Sequence, residues 1–127
     1  MTQNRPVNIN LLKIKLPLSA FLSITHRISG ILIFFIVLPV SVFIFSELTQ
    51  SQDSFDNFMT MYHKNLGIKF GCVGLILIFQ YHIFTGVRHI LMDFHILNES
   101  LSSSYKSAVT TLVLFAVNAL LTLWVML

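Results

Sequence analysis

The chain has 127 residues, of which 55% are hydrophobic and only 10% are charged, whereas a soluble domain carries about 25% charged residues. This composition excludes an ordinary soluble domain and indicates a membrane protein. The formal net charge of +3 is explained by an excess of Lys and Arg on one side of the membrane, so it does not indicate a nucleic-acid-binding protein.

Three long uncharged segments predict three membrane-spanning helices. They cover residues 28–46, 70–87 and 107–127, and about 20 apolar residues are needed to cross the hydrocarbon core. With their flanking residues, the predicted helices run from about 17 to 46, from 66 to 94 and from 105 to 127. Pro39 predicts a kink in the first helix. The chain is therefore predicted to be a single all-α membrane-anchor domain over residues 1–127, and part of a larger heteromeric helix bundle.

The connecting segments are predicted from their polar composition. Residues 1–18 are expected to form an amphipathic cytoplasmic lead-in, and residues 47–65 a polar loop that contains His63. A short turn follows the second helix and contains His95, and residues 102–104 are three serines suited to capping the third helix. Cys72 is the only cysteine, so an internal disulfide is excluded.

The distribution of Lys and Arg predicts the orientation in the membrane. Six basic residues lie before the first span or between the second and third spans, and two lie between the first and second: Arg5, Lys13, Lys15, Arg27, Arg88 and Lys106 against Lys64 and Lys69. The positive-inside rule then places the N-terminus in the cytoplasm or its organellar equivalent. We expect a bacterial cytoplasmic membrane, with the mitochondrial inner membrane as the alternative.

On the first predicted helix, Ser23, Arg27 and Gly30 share one face because they are spaced at i, i+4 and i+7, and His26 lies beside them. This face offers a hydroxyl, a guanidinium and a gap without a Cβ, so it could hold a quinone. The arginine would favour negative charge developing on a carbonyl oxygen during reduction. The alternative is that Arg27 only extends to the membrane interface. These residues alone leave both interpretations open.

On the second predicted helix, His82, Gly86 and His89 repeat this spacing. A neutral imidazole is a good axial ligand for haem iron, Gly86 would leave room for a porphyrin, and His89 could meet a haem propionate. The alternative is a His82 side chain that is hydrogen-bonded to a neighbouring helix. His26 is expected at the level of His89 and not of His82, so a second ligand for His82 would come from another subunit. The pair of His26 and His89 stays open as another ligand set.

Three segments then complete a recognisable pattern: RPVNINLLKIKLP, SITHRISG and YHIFTGVRHILMDF, in this order. Together they resemble the cytochrome b-type membrane anchor of succinate dehydrogenase, which is respiratory complex II, over nearly the whole chain. The resemblance implies a subunit of succinate:quinone oxidoreductase that lies outside the catalytic head. Its implied partners are a second small membrane anchor, an iron–sulfur subunit and a flavoprotein, which pass electrons from succinate to ubiquinone in the respiratory chain and the tricarboxylic acid cycle.

The resemblance also implies roles for individual residues. His82 is the axial ligand of a haem b shared with the partner anchor, and Ser23 and Arg27 bind the quinone. The implied neighbours of the haem propionates are His26, Arg27, Arg88 and His89. Two alternatives remain at this point: the anchor of a related quinol:fumarate reductase, and a structural membrane subunit without a cofactor.

Overall fold

The computed structural model describes residues 16–98 and 100–127. Within these residues the protein consists of four helices: α1 (Leu18–Gln50), α2 (Gln52–Lys64), α3 (Leu66–Asp93) and α4 (Leu101–Met126). Helices α1, α3 and α4 are long and apolar enough to cross a membrane. The predicted all-α membrane fold with three spanning helices is therefore confirmed.

Most of the predicted lead-in lies outside the described residues, and so do its basic side chains Arg5, Lys13 and Lys15. The described part begins at Leu16, and α1 begins two residues later at Leu18, directly after Pro17. Proline suits this position because the first N–H groups of a helix have no partner within it.

The irregularity predicted at Pro39 takes the form of a π-helical turn at Ile33–Val37. The N–H of Leu38 bonds to the carbonyl of Ile33, five residues back instead of four. Proline has no N–H and cannot continue the regular α-helical ladder, and the wider turn ends two residues before it. Helix α1 then continues to Gln50, four residues beyond the predicted end.

The polar loop predicted for residues 47–65 is wrong, because most of it forms the helix α2. Ser51 caps this helix, and its Oγ accepts a hydrogen bond of 3.1 Å from the N–H of Ser54. The polar composition concealed an amphipathic helix. Its apolar side chains help to line a cleft of about 630 Å³ between α1 and α3: Phe55, Phe58, Met59 and Tyr62. His63 is exposed, but it lies on this helix and not in a loop.

The connection between α3 and α4 is shorter than predicted. His95 lies in the turn, as expected, with a left-handed φ of 56°. The helix α4 begins at Leu101 instead of 105, and its cap is Ser100, whose Oγ accepts from the N–H of Ser103 at 3.3 Å. The cap predicted at residues 102–104 is therefore wrong. These serines lie inside the first turn of α4, where Ser104 is buried against α3.

The two ends of the helix bundle differ in charge. One end, which we call the basic end, joins the N-terminal turns of α1 and α4 to the C-terminal turns of α3, and it carries Arg27, Arg88 and Lys106. The other end carries α2, whose Tyr62 hydroxyl donates to the Met126 carbonyl at 3.0 Å. The predicted functional residues all belong to the half of the bundle nearer the basic end.

The three spanning helices are packed most closely within this half. Leu22 of α1, Thr85 of α3 and Ala108 of α4 are each at most 1% exposed. Small side chains such as Thr and Ala let helix backbones approach closely within a membrane. This packing brings the polar groups on the facing turns of α1 and α3 into contact.

Candidate functional site

Three of the predicted site residues form one cluster where α1 meets α3. The rings of His26 and His82 are stacked, with centroids 4.2 Å apart and planes at 11°. The ring of His89 lies 5.1 Å from that of His26 and is tilted by 48°. We call His26, His82 and His89 the histidine cluster. The structure thus unites residues that the sequence analysis had placed on two separate helices.

The ring of His26 lies beside that of His89, as expected from their levels, but it also contacts the ring of His82, which was not expected. Counting residues along one helix gives the depth of a side chain within that helix only. Which side chains of two helices meet also depends on the axial offset between the helices. The contact does not make His26 a second axial ligand. The nitrogen lone pairs of an imidazole lie in its ring plane, so two stacked and nearly parallel rings do not point at a common iron between them. Among the described residues, no three His, Cys, Asp or Glu side chains are grouped as a metal site.

Two glycines make the contact between α1 and α3 possible. A Cβ on Gly30 would lie 3.3 Å from Cε1 of His82, and a Cβ on Gly86 would lie 3.1 Å from Nε2 of His26. Each helix therefore accepts a histidine ring of the other helix beside a glycine. The gap at Gly86, which the sequence suggested for a porphyrin, lies against the ring of His26 in this structure.

Ser29 belongs to the same contact and was missed by the sequence analysis. It is only 5% exposed, its Oγ lies 2.9 Å from Nδ1 of His82, and its hydroxyl donates to the His26 carbonyl at 2.7 Å. Nε2 of His82 makes no hydrogen bond within the described residues. Ser29 is part of the segment SITHRISG, but a serine is an ordinary residue in a membrane helix. Only its contact with His82 distinguishes it.

Ser23 and Arg27 lie on α1 beside the histidine cluster. Ser23 is partly exposed and Arg27 is exposed, and neither side chain makes a hydrogen bond within residues 16–98 and 100–127. Arg27 directly follows His26 in the chain, so its backbone adjoins the histidine cluster. This face of α1 ends at Gly30, where an added Cβ would lie 3.3 Å from the ring of His82. It therefore offers a hydroxyl and a guanidinium that bond to none of the described residues, directly beside the histidine cluster.

Arg88 has a different environment from Arg27. It is only 3% exposed, and its Nε donates to Ser107 Oγ at 3.2 Å. Its Nη2 donates to both the carbonyl and the Oγ of Ser104 at 3.2 Å. All three acceptors are uncharged and lie on α4, so Arg88 ties α3 to α4. Its predicted place beside a haem propionate stays a prediction.

Two further polar contacts between membrane helices were not anticipated. The hydroxyls of Thr25 and Tyr81 lie 2.5 Å apart and join α1 to α3. Nε2 of Gln80 donates to Thr122 Oγ1 of α4 at 2.8 Å. Hydrogen bonds between membrane helices contribute modestly to their association. These contacts help to hold α1 and α4 against α3, and this packing forms the histidine cluster.

Comparisons with known proteins agree on one family. A family model described as succinate dehydrogenase/fumarate reductase transmembrane subunit matches residues 1–124. The succinate dehydrogenase cytochrome b556 subunit of Coxiella burnetii is 36% identical over 93 residues, which are 73% of this chain and 74% of the relative. The cytochrome b560 subunit of Porphyra purpurea is 32% identical over 112 residues, 87% of this chain and 88% of the relative. That of Chondrus crispus is 35% identical over 95 residues, 72% of each chain.

Proposed function

The chain belongs to the family of succinate dehydrogenase/fumarate reductase transmembrane subunits, and from this premise we propose that it anchors a succinate dehydrogenase and contributes to a haem b site and a quinone site. Membership makes the chain a membrane subunit of an oxidoreductase complex. The relatives named above are succinate dehydrogenase cytochrome subunits, which favours succinate oxidation over fumarate reduction as the direction of the reaction.

The residues on α3 fit a haem with one axial ligand from this chain. The relatives are named cytochromes b, and His82 is a partly buried imidazole held through Nδ1 with Nε2 not hydrogen-bonded. Because His26 is stacked on this ring, we assign the second ligand to the partner anchor. A bound haem would supply a one-electron carrier at this position. His26 is stacked on His82, His89 lies beside His26, and Arg27 follows His26 in the chain. We propose these three residues as neighbours of the haem propionates, and Arg88 is the remaining predicted neighbour.

The face of α1 beside the cluster suits a quinone. The hydroxyl of Ser23 can donate a hydrogen bond to a quinone carbonyl, and the guanidinium of Arg27 can stabilise the negative charge that develops there during reduction. Two electrons and two protons convert ubiquinone to ubiquinol. The observation that carries the proposal is the closeness of Gly30 to His82, since a Cβ on Gly30 would lie 3.3 Å from Cε1 of this ring. Gly30 ends the face that holds Ser23 and Arg27, so this face adjoins the proposed haem ligand.

The proposed partners follow from this placement. We assign a second small membrane anchor to the histidine side of α3, and an iron–sulfur subunit and a flavoprotein to the basic end, from which electrons would reach the quinone. The excess of Lys and Arg at the basic end supports the proposal that this end of the bundle faces the cytoplasm. The proposed location of the complex is the cytoplasmic membrane of a bacterium.

The test is the absorption spectrum of the purified complex with His82→Ala. We expect the unsubstituted complex to show b-type absorption, and His82→Ala to lose most of it because iron loses its ligand from this chain. His63→Ala is the matched control, since His63 is exposed on α2. It should leave the spectrum unchanged. Co-purification of the dehydrogenase subunits with each variant checks assembly.

Two outcomes would contradict the proposal. An unchanged six-coordinate haem in His82→Ala would show that another residue binds the iron. Absence of b-type absorption in the unsubstituted complex, with all subunits present, would favour a structural subunit without a cofactor.

A further inference from the structure

Ser29 connects the two helices at the proposed haem ligand. It lies on the buried face of α1, three residues after His26, and its hydroxyl oxygen is within hydrogen-bond distance of two groups. One is the backbone carbonyl of His26 at 2.7 Å, and the other is Nδ1 of His82 at 2.9 Å. A serine hydroxyl has a single proton, so it can donate to only one of them.

The single proton decides the direction of the second hydrogen bond. A carbonyl oxygen has no proton to give, and two oxygens 2.7 Å apart would repel each other without a proton between them. The proton of Ser29 therefore lies toward the His26 carbonyl. The contact with His82 then requires that Nδ1 carries the hydrogen and donates it to Ser29 Oγ.

This direction selects one tautomer of His82. When Nδ1 of a neutral imidazole carries the hydrogen, Nε2 has the lone pair and can bind a metal. Two further contacts hold the ring in place, because His26 covers one face and Gly30 lies against Cε1. The atoms bounded by α1 are thus Nδ1 and Cε1, while Nε2 makes no hydrogen bond within the described part of the chain.

We propose that Ser29 is a positioning residue for haem: it holds His82 as the Nδ1–H tautomer and keeps the lone pair of Nε2 available to iron. The inference rests on the proposed haem ligand. Groups that orient a metal-binding histidine in this way commonly affect metal affinity by about 10- to 100-fold. An acceptor at Nδ1–H also makes the imidazole more basic, which favours the ferric state of a bound haem iron.

The test compares Ser29→Ala and Ser29→Thr in the purified complex, with Ser41→Ala as the control. Ser41 is exposed on α1, so its substitution removes a hydroxyl from the same helix without touching His82. We expect Ser29→Ala to transfer haem to a haem-scavenging apoprotein about 10- to 100-fold faster and to raise the midpoint potential of the haem. Threonine keeps a hydroxyl at this position, so Ser29→Thr should restore most of the original behaviour, and Ser41→Ala should leave both values unchanged.

The outcomes separate this inference from the proposed haem ligand. If His82→Ala loses the haem but Ser29→Ala keeps the original transfer rate and potential, the role of Ser29 is wrong and the ligand stands. If His82→Ala keeps its haem, the ligand is wrong and the role of Ser29 fails with it. An assembly defect shared by Ser29→Ala and Ser29→Thr would assign Ser29 to helix packing and would also overturn the inference.

Discussion

The side of α3 that faces α4 and the side that carries the histidine cluster are both polar, but they use their polar groups differently. Toward α4, Arg88 donates three hydrogen bonds to Ser104 and Ser107. On the other side, His82 has one hydrogen bond, and Arg27 of the adjoining α1 has none within the described residues. Arg88 is therefore hydrogen-bonded within the chain, and we call the side toward α4 the bonded side. On the other side, which we call the open side, Nε2 of His82 and the guanidinium of Arg27 have no hydrogen-bond partner among the described residues.

This difference indicates which polar groups serve the fold and which serve a ligand. An ionisable group within a membrane protein costs free energy, and the cost is reduced when neighbours of the same chain bond to it. Arg88 meets this condition, so its contacts account for its presence. Arg27 and Nε2 of His82 do not, which favours a ligand or a partner subunit as their use. Gln80 is intermediate, since its Nε2 bonds to Thr122 while its Oε1 is buried without a partner in the described part of the chain.

The largest effect is expected on the open side, from Arg27→Ala. Without the guanidinium, charge that develops on the quinone carbonyl loses its stabilising partner, and removing one such group typically costs about 10²–10³ in rate. We therefore expect succinate-dependent quinone reduction by the purified complex to fall by at least about tenfold. Succinate oxidation with a soluble artificial acceptor should remain largely intact, because electrons then need not reach this site.

The control for this prediction is the ratio of the two activities. Arg27 is exposed and bonds to no described residue, so its removal should leave the fold of this chain intact. Equal losses of both activities would show a defect in assembly instead, and the open side would then serve the fold as the α4 side does. Arg27→Lys keeps the charge but not the planar guanidinium, and should retain part of the quinone reduction.

A smaller effect of a different kind is expected on the bonded side, from Arg88→Ala. Interhelical hydrogen bonds in membranes average about 0.6 kcal/mol each, so losing three should cost about 2 kcal/mol of helix packing. We expect less assembled complex and a lower thermal stability in detergent, measured at equal expression. The haem that remains bound should keep its spectrum and its midpoint potential.

Lys106→Ala is the matched control for Arg88→Ala. It also removes one positive charge from the basic end, but Lys106 is exposed on α4, so its loss should leave stability nearly unchanged. If Arg88→Ala instead assembled as well as Lys106→Ala and shifted the haem potential, Arg88 would act on a propionate. This result would contradict the interpretation that the polar groups facing α4 serve only the fold.

The sequence was informative where the membrane imposes a simple rule. Length and hydropathy sufficed for α1, α3 and α4, because an apolar segment of this length has no stable alternative in a bilayer. They failed for α2, where polar residues dominate the average and the evidence for a helix is the spacing of Phe55, Phe58, Met59 and Tyr62. They also failed at the start of α4, where four candidate caps, residues 100 and 102–104, are nearly equivalent in sequence.

The sequence was sufficient to select candidate residues of the site, but not to predict which of them are in contact. Arg27 and His82 could be selected because ionisable residues are unusual in membrane helices, and Ser23 because its spacing places it on the face of Arg27. The stacking of His26 on His82 could not be predicted, since it depends on the offset between α1 and α3, and the bonds of Arg88 to α4 depend on how α3 is rotated. Ser29 is the clearest case, because its residue type is ordinary and its role follows only from two distances.

The smallest effect is expected from Gly86→Ala, with Gly74→Ala on the same helix as its control. A Cβ at Gly86 would lie 3.1 Å from Nε2 of His26, whereas a Cβ at Gly74 would have no neighbour within 4 Å. Both changes favour the helix by up to about 1 kcal/mol, so this contribution cancels in the comparison. What remains is a shift of His26 by a few tenths of an ångström, which must reach His82 because the two rings are stacked.

We therefore expect Gly74→Ala to stabilise the complex slightly and to leave the haem spectrum unchanged. Gly86→Ala should show less or none of this stabilisation, together with a small change in haem absorption or midpoint potential. Thermal unfolding and a redox titration of the two variants in parallel measure both effects. Identical behaviour of the two variants would show that the ring of His26 moves aside freely, and that the histidine cluster does not hold His82 as closely as the stacked geometry implies.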